Sequence, residues 1–105
     1  MAGIWQVSPI QRADSNQALR GLQQLLGRIF YTKQDYTESL IWFNRAAEAG
    51  HARSIYWVGR HHWYGQSVPQ DRKEAMRFFH VAASKKVVAA RRVLKFLARR
   101  KYADA

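Results

Sequence analysis

The stretch VGRHHWYGQSVPQDRKEAMRFFHVAA at residues 58–83 decides the fold, because both of its ends repeat an earlier part of the chain. Its start realigns with LGRIF at residues 26–30, which lies 32 positions earlier. Its end realigns with LIWFNRAA at residues 40–47, which lies 36 positions earlier. The difference falls in the connection at residues 65–70, where an insertion is tolerated. A further copy of the first element follows at residues 88–100, so we expect stacked structural units that bury their faces against one another.

The residue types and their spacing predict that these units are helical. Ala, Leu, Arg and Gln are frequent, and no convincing alternation of apolar and polar residues suggests a strand. Two Asp-x-x-Glu patterns, beginning at Asp35 and Asp71, predict capping boxes, in which the Asp accepts a backbone N–H and the Glu reaches back to the cap. Gly50 and Gly65 suit the left-handed position just past a helix end.

These signals place the boundaries of the elements. We expect helices at residues 16–32, 36–49, 52–64, 71–84 and 87–101. Ser15 or Asn16 is the predicted cap of the first helix, and residues 1–15 either add a turn of helix after Pro9 or stay irregular. The short connections make neighbouring helices antiparallel hairpins. The predicted organisation is an N-terminal extension (1–15), one helical domain (16–101) and a tail (102–105).

Two glycines inside predicted helices indicate where the helices approach closely. Gly27 and Gly59 each cost about 1 kcal/mol relative to alanine in a helix interior. A neighbouring helix that packs directly against them explains this cost. Phe43 and Phe79 are large enough to fill the space between hairpins.

Composition and charge bound the function. The chain has 105 residues, contains no cysteine and carries a net charge of +11. It is long enough for one domain, and it lacks the residues for disulfides, thiolate metal sites or cysteine nucleophiles. Residues 1–71 carry a net charge of +2, whereas residues 72–105 carry +9. Such a field favours anionic partners.

The repeat resembles the Sel1-like repeats, which are relatives of the tetratricopeptide repeats. The resemblance is carried in the second unit by Val58, Gly59, His62, Gly65, Val68, Asp71, Ala75, Phe78, Phe79, Ala82 and Ala83, and in the first by Leu26, Gly27, Phe30, Phe43, Ala46 and Gly50. It implies an all-α fold of stacked antiparallel helical hairpins, a short α-solenoid of about two repeats plus a closing helix. It also implies a non-catalytic module for protein–protein interaction, in which the first helices line a concave surface.

Carrying those inward positions over predicts a groove of arginines interleaved with aromatic residues. Its predicted residues are Arg28, Tyr31, Arg53, Tyr56, Arg60, Trp63, Arg92, Phe96 and Arg99. Arginine forks match carboxylates, and aromatic rings anchor binding hot spots. We therefore predict an adaptor or inhibitor that binds an acidic segment of another protein. The alternative interpretation is that Tyr56 and Trp63 pack between helices while the arginines are solvated.

The basic C-terminal helix supports a second hypothesis, sequence-independent binding of nucleic acid. Its predicted contact residues are Lys85, Lys86, Arg91, Lys95, Arg99, Arg100 and Lys101. A solvated basic face is the alternative explanation. Self-association into a homo-oligomer also stays open, because so few repeats bury their faces incompletely.

No pattern points to catalysis or to a bound metal. The chain has no phosphate-binding loop, no nucleophile elbow and no HExxH, and the adjacent His61 and His62 point about 100° apart on a helix. We predict a protein that is not an enzyme and holds no cofactor and no metal. The absence of a signal peptide and of a long apolar run predicts no membrane span and a cytoplasmic location, as in a bacterial accessory protein.

Overall fold

Five helices make up the described part of the chain. The computed structural model describes the backbone of residues 9–103 and the side chains of residues 16–100. The helices are α1 (Pro9–Thr32), α2 (Tyr36–Glu48), α3 (Ala52–Tyr64), α4 (Arg72–Ser84) and α5 (Val88–Ala103), and none of residues 9–103 forms a strand. The all-α prediction is confirmed, and the bounds of α2, α3 and α4 agree with the predicted ones to within one residue. The remainder of the predicted extension and tail, residues 1–8 and 104–105, lies outside the described residues.

The start of α1 follows the alternative in which helix forms from Pro9 onward, so the predicted start at residue 16 is wrong. The helix begins at Pro9 and runs without interruption through the positions predicted as its cap, Ser15 and Asn16, so that cap is wrong. Proline is favoured in the first turn of a helix because it has no N–H to leave without a partner and its φ is already helical. The sequence patterns that mark a cap therefore stand inside a longer helix.

Half of each predicted capping box is formed. Asp35 Oδ1 accepts the N–H of Glu38 at 3.3 Å, and Asp71 Oδ1 accepts the N–H of Glu74 at 3.0 Å. The reciprocal bond is replaced, because each Asp N–H donates to a carbonyl of the preceding helix at 2.9 Å. Glu74 instead accepts a bond from Arg77 at 2.9 Å. The aspartates are thus helix caps, whereas the side chains of the two glutamates take no part in the capping.

Each hairpin closes on a glycine. A Cβ on Gly27 would lie 2.7 Å from the Phe43 ring, and a Cβ on Gly59 would lie 2.8 Å from the Phe79 ring. These distances are shorter than real side chains tolerate, so only glycine lets the two helices of each hairpin approach this closely. The same contact recurs in both hairpins, which confirms the predicted reason for these glycines.

Two layers of side chains join successive elements into a stack. Between the hairpins, the Phe43 ring stacks on Trp57 with centroids 5.0 Å apart and planes 3° apart. Leu40 and Val58 complete this layer. The second layer attaches α5 to the second hairpin and consists of Ala82, Val87 and Ala90. α3 is the first helix of the second hairpin, and α5 follows that hairpin as a further first helix. The two helices therefore lie on the same side of the stack.

Candidate ligand-binding groove

A groove of about 720 Å³ lies between α3, α4 and α5. Its lining comprises five aromatic residues, four arginines and two aliphatic residues. They are Tyr56, Trp63, Tyr64, Phe79 and Phe96; Arg60, Arg72, Arg92 and Arg100; and Val93 and Leu97. We call this surface the basic-aromatic groove.

Helical spacing brings these side chains together. On α3, Tyr56, Arg60 and Tyr64 stand four residues apart, and on α5 the same spacing aligns Arg92 with the residues four and eight positions later. The two rows face one another because α5 follows α3 in the stack. Phe96, in the middle of the α5 row, is 60% exposed.

The turn between α3 and α4 brings Arg72 to the groove. Gly65 ends α3 in the left-handed conformation at φ +70°, which reverses the chain. Gln70 Nε2 then donates to the carbonyl of Trp63 at 3.0 Å, which ties the turn to the end of α3. Arg72, at the start of α4, consequently lies with its guanidinium carbon 4.7 Å from the centroid of the Trp63 ring.

The groove is positively charged along its length. No Asp or Glu occurs among its lining residues. The guanidinium carbon of Arg60 lies 4.8 Å from the Trp57 ring centroid and 5.3 Å from that of Tyr31, so the charge is held over aromatic faces. Such cation–π contacts contribute about 0.5–1 kcal/mol each at exposed sites, and they leave the N–H donors free for an anion. The geometry combines fixed positive charge with exposed aromatic surface.

The predicted groove residues fall into two sets. Those that line the groove together are Tyr56, Arg60, Trp63, Arg92 and Phe96. Tyr31 lies beneath Arg60 and packs against Trp57, Tyr36 and His61 instead of lining the groove. Arg28, Arg53 and Arg99 are exposed elsewhere.

Two arginines of the groove, Arg72 and Arg100, are not among its predicted residues. Arg72 stands directly after a cap, so only the closed turn reveals its position. The sequence predicts Arg100 on the nucleic-acid face, although it follows Phe96 by one helical turn. That spacing of four residues is a signal that would have placed Arg100, rather than Arg99, on the groove side of α5.

The residues predicted to contact nucleic acid lie in the turn before α5 and along α5 itself. Lys85 and Lys86 lie in the turn before α5, and Arg91 Nε donates to the carbonyl of Ala83 at 3.3 Å. Lys95 and Arg99 are exposed outside the groove, whereas Arg100 lines it. The side chain of Lys101 lies outside the described residues.

Lys95 also marks where the repeat pattern ends. It stands 36 positions after Gly59. At the equivalent position of the repeat, each hairpin has a glycine that packs under a phenylalanine. In α5 this position carries an exposed lysine. The face of α5 that carries Lys95, which we call its outer face, is therefore exposed to solvent among the described residues. The corresponding face of α3, which carries Gly59, packs against α4.

Two histidines have structural roles. His51 caps α3, with Nδ1 accepting the N–H of Ser54 at 3.3 Å. His61 is fully buried between the hairpins, where Nδ1 lies 2.9 Å from the carbonyl of Gln66 and Nε2 lies 3.3 Å from Ser39 Oγ. Burial is the main cause that lowers the pKa of both imidazoles, and neighbouring arginines add to it.

Ser39, although it neighbours His61, is fully buried and donates its hydroxyl to the carbonyl of Gly27 at 2.8 Å, so it is held as a packing element. No group of three His, Cys, Asp or Glu side chains within residues 16–100 could hold a metal ion. None of the described helices is both long enough and apolar enough to cross a membrane.

Comparison with known proteins agrees with the fold. The family model described as Sel1 repeat matches the chain twice, over residues 21–51 and 52–87. The first match covers the end of α1 and all of α2, and the second covers α3 and α4. No curated protein and no solved structure matches the chain. Sel1 repeats generally mediate protein–protein interaction and are typically non-catalytic. Because the two matches cover more than half of its length, the chain belongs to the Sel1 repeat family.

Proposed function

We propose that the protein is an adaptor or inhibitor that binds an acidic segment of a partner protein in the basic-aromatic groove. The observation that carries the proposal is the lining of the groove, which has four arginines and exposed aromatic rings but no carboxylate. An acidic segment supplies the negative charge that this surface lacks.

The chemistry of the lining favours a peptide ligand with carboxylates. Each guanidinium presents a planar fork of donors that matches a carboxylate with two parallel hydrogen bonds. Arg60 and Arg72 are already held against aromatic rings, so less side-chain freedom is lost when they bind. Trp63 and Phe96 offer apolar surface beside these charges, and tryptophan, tyrosine and arginine are the residue types that dominate binding hot spots.

The α5 side of the groove permits a test that leaves the core intact. Arg92 and Arg100 are exposed, so reversing their charge removes no packing. Lys95 and Arg99 are exposed on the same helix outside the groove, which makes Lys95→Glu/Arg99→Glu a control with the same change in net charge. A fluorescein-labelled peptide with four glutamates around a central leucine serves as the probe, and binding is measured by fluorescence anisotropy at about 0.15 M salt.

We expect Arg92→Glu/Arg100→Glu to weaken peptide binding at least tenfold more than the control pair does. A tenfold change corresponds to about 1.4 kcal/mol, which is modest for the loss of two charge-assisted contacts. Equal weakening by both pairs would mean that only net charge attracts the peptide, and it would overturn the groove.

The same variants separate this function from nucleic-acid binding. A fluorescein-labelled single-stranded RNA replaces the peptide, and the salt dependence of binding is recorded. Binding of RNA that is tighter than that of the peptide, with a steep salt slope and a larger loss for Lys95→Glu/Arg99→Glu, would transfer the function to the outer face of α5.

A further inference from the structure

A second pocket adjoins the basic-aromatic groove. It has a volume of about 480 Å³ and lies between α4 and α5. Its apolar walls include Met76, Leu94 and Ala98, and it shares Trp63, Arg72 and Leu97 with the groove. We call it the apolar side pocket.

The shared residues make the two cavities one continuous surface. Trp63 stands between them with Arg72 over its ring, so a ligand that reaches Arg72 from the groove also reaches the mouth of the side pocket. Along α4 the side pocket extends from Arg72 to His80, which is about 12 Å at 1.5 Å per residue. An extended peptide covers that distance with about four residues.

The rim of the side pocket carries the same sign of charge as the groove. Arg72 and Lys73 lie beside walls of methionine, leucine and alanine, and no carboxylate lines the pocket. An apolar side chain that enters it therefore lies next to positive charge. A segment that fits has a large apolar residue between acidic residues. Met76 adapts to different side-chain shapes because its thioether chain is flexible.

We propose that the apolar side pocket binds a large apolar side chain of the same acidic segment, so that the ligand class is an acidic segment with an apolar anchor residue. This inference rests on the proposed function of the groove. The groove supplies attraction through charge, and the side pocket supplies selection, because an apolar pocket discriminates by the size of the side chain that enters it.

The test compares two peptides on three proteins. The peptides are the acidic probe with its central leucine and the same peptide with serine in place of the leucine. The proteins are the wild type, Ala98→Gln, which narrows the side pocket from an exposed position on α5, and Ala18→Gln, the same change at an exposed position on α1. Both substitutions are at solvated helix positions where glutamine is well tolerated.

We expect the wild type and Ala18→Gln to bind the leucine peptide at least tenfold more tightly than the serine peptide. In Ala98→Gln this preference falls below about threefold. Equal binding of both peptides by the wild type, with Arg92→Glu/Arg100→Glu still weakening both, would overturn the side pocket and leave the groove intact. An undiminished preference in Ala98→Gln would also overturn it. If neither peptide binds the wild type, the proposed function fails together with this inference.

Discussion

Two helix faces that occupy the same place in the repeat differ in burial. One lies on α1 and the other on α3, 32 positions later. The residues are Leu22, Leu25 and Ile29 on α1, and Ser54, Trp57 and His61 on α3. The three apolar residues of α1 are 42–58% exposed, whereas Ser54 and His61 are fully buried and Trp57 is half-buried.

The neighbour, and not the residue type, determines burial at these positions. The α3 face packs against the first hairpin, where Tyr31, Tyr36 and Phe43 surround His61. None of the described residues covers the α1 face to the same extent. The polar groups of α3 are tolerated inside because they are hydrogen-bonded, as His61 is through Nδ1 to the carbonyl of Gln66. In a repeat protein, contact with the adjacent unit therefore outweighs hydropathy.

The largest expected effect comes from removing the aromatic contact between the hairpins. Trp57→Ala takes away the ring that stacks on Phe43 and supports Arg60, and we expect it to lower the free energy of unfolding by about 3 kcal/mol. Urea denaturation followed by circular dichroism measures this loss. Tyr64→Ala, which removes a 58% exposed ring from the same helix, is the control, and an equal loss there would contradict the assigned role of the stack.

A second prediction contrasts the effect on stability of replacing a glycine on α1 and a glycine on α3, the first helices of the two hairpins. Gly59→Ala places a methyl group against the buried Phe79 ring, and we expect a loss of about 1–3 kcal/mol from overpacking. Gly21→Ala on α1 meets nothing within 4 Å, so the higher helix propensity of alanine stabilises it by about 0.5–1 kcal/mol. Thermal unfolding of both variants checks the opposite signs. A stabilised Gly59→Ala would show that the hairpin is not closed on this glycine.

The sequence predicted the fold well because the repeat carries its packing geometry in local signals. The aspartate caps, the turn glycines and the glycines of close helix approach all stand where local signals predicted them. The burial of His61 was not predictable from hydropathy, since its environment is made by residues from another hairpin. Arg72 joined the groove only through the closed turn after Gly65. Local patterns thus predict the elements, whereas the composition of the groove depends on how α3, α4 and α5 stack.

The buried His61 predicts that the free energy of unfolding depends on pH. The apolar residues of the α1 face do not titrate and make no such contribution. Burial lowers the pKa of His61, so the folded protein holds it neutral while the unfolded chain protonates near the ordinary value of about 6.5. The unfolded state therefore binds more protons below that pH. The stabilising contribution is complete above about pH 6.5, and it is lost as the pH falls from there through the lowered pKa of the folded state.

Urea titrations at several pH values between 7.5 and 5 check this prediction. We expect the free energy of unfolding to fall with pH in the wild type, and to fall less steeply in His61→Gln. His51, whose pKa is also lowered, leaves a residual slope in that variant. An unchanged slope in His61→Gln would show that the imidazole is not held neutral between the hairpins.

The smallest effect is expected on the α1 face itself. Hydrophobic stabilisation is proportional to the apolar area removed from water, and Leu22 keeps 58% of its surface exposed. Glutamine has nearly the helix propensity of leucine, so Leu22→Gln should change the free energy of unfolding by less than about 1 kcal/mol. Urea denaturation at two protein concentrations measures this change in the free energy of unfolding. A loss comparable to that of Trp57→Ala would mean that this face is covered in solution as the α3 face is. The difference between the two helices would then lie in which neighbour covers each of them.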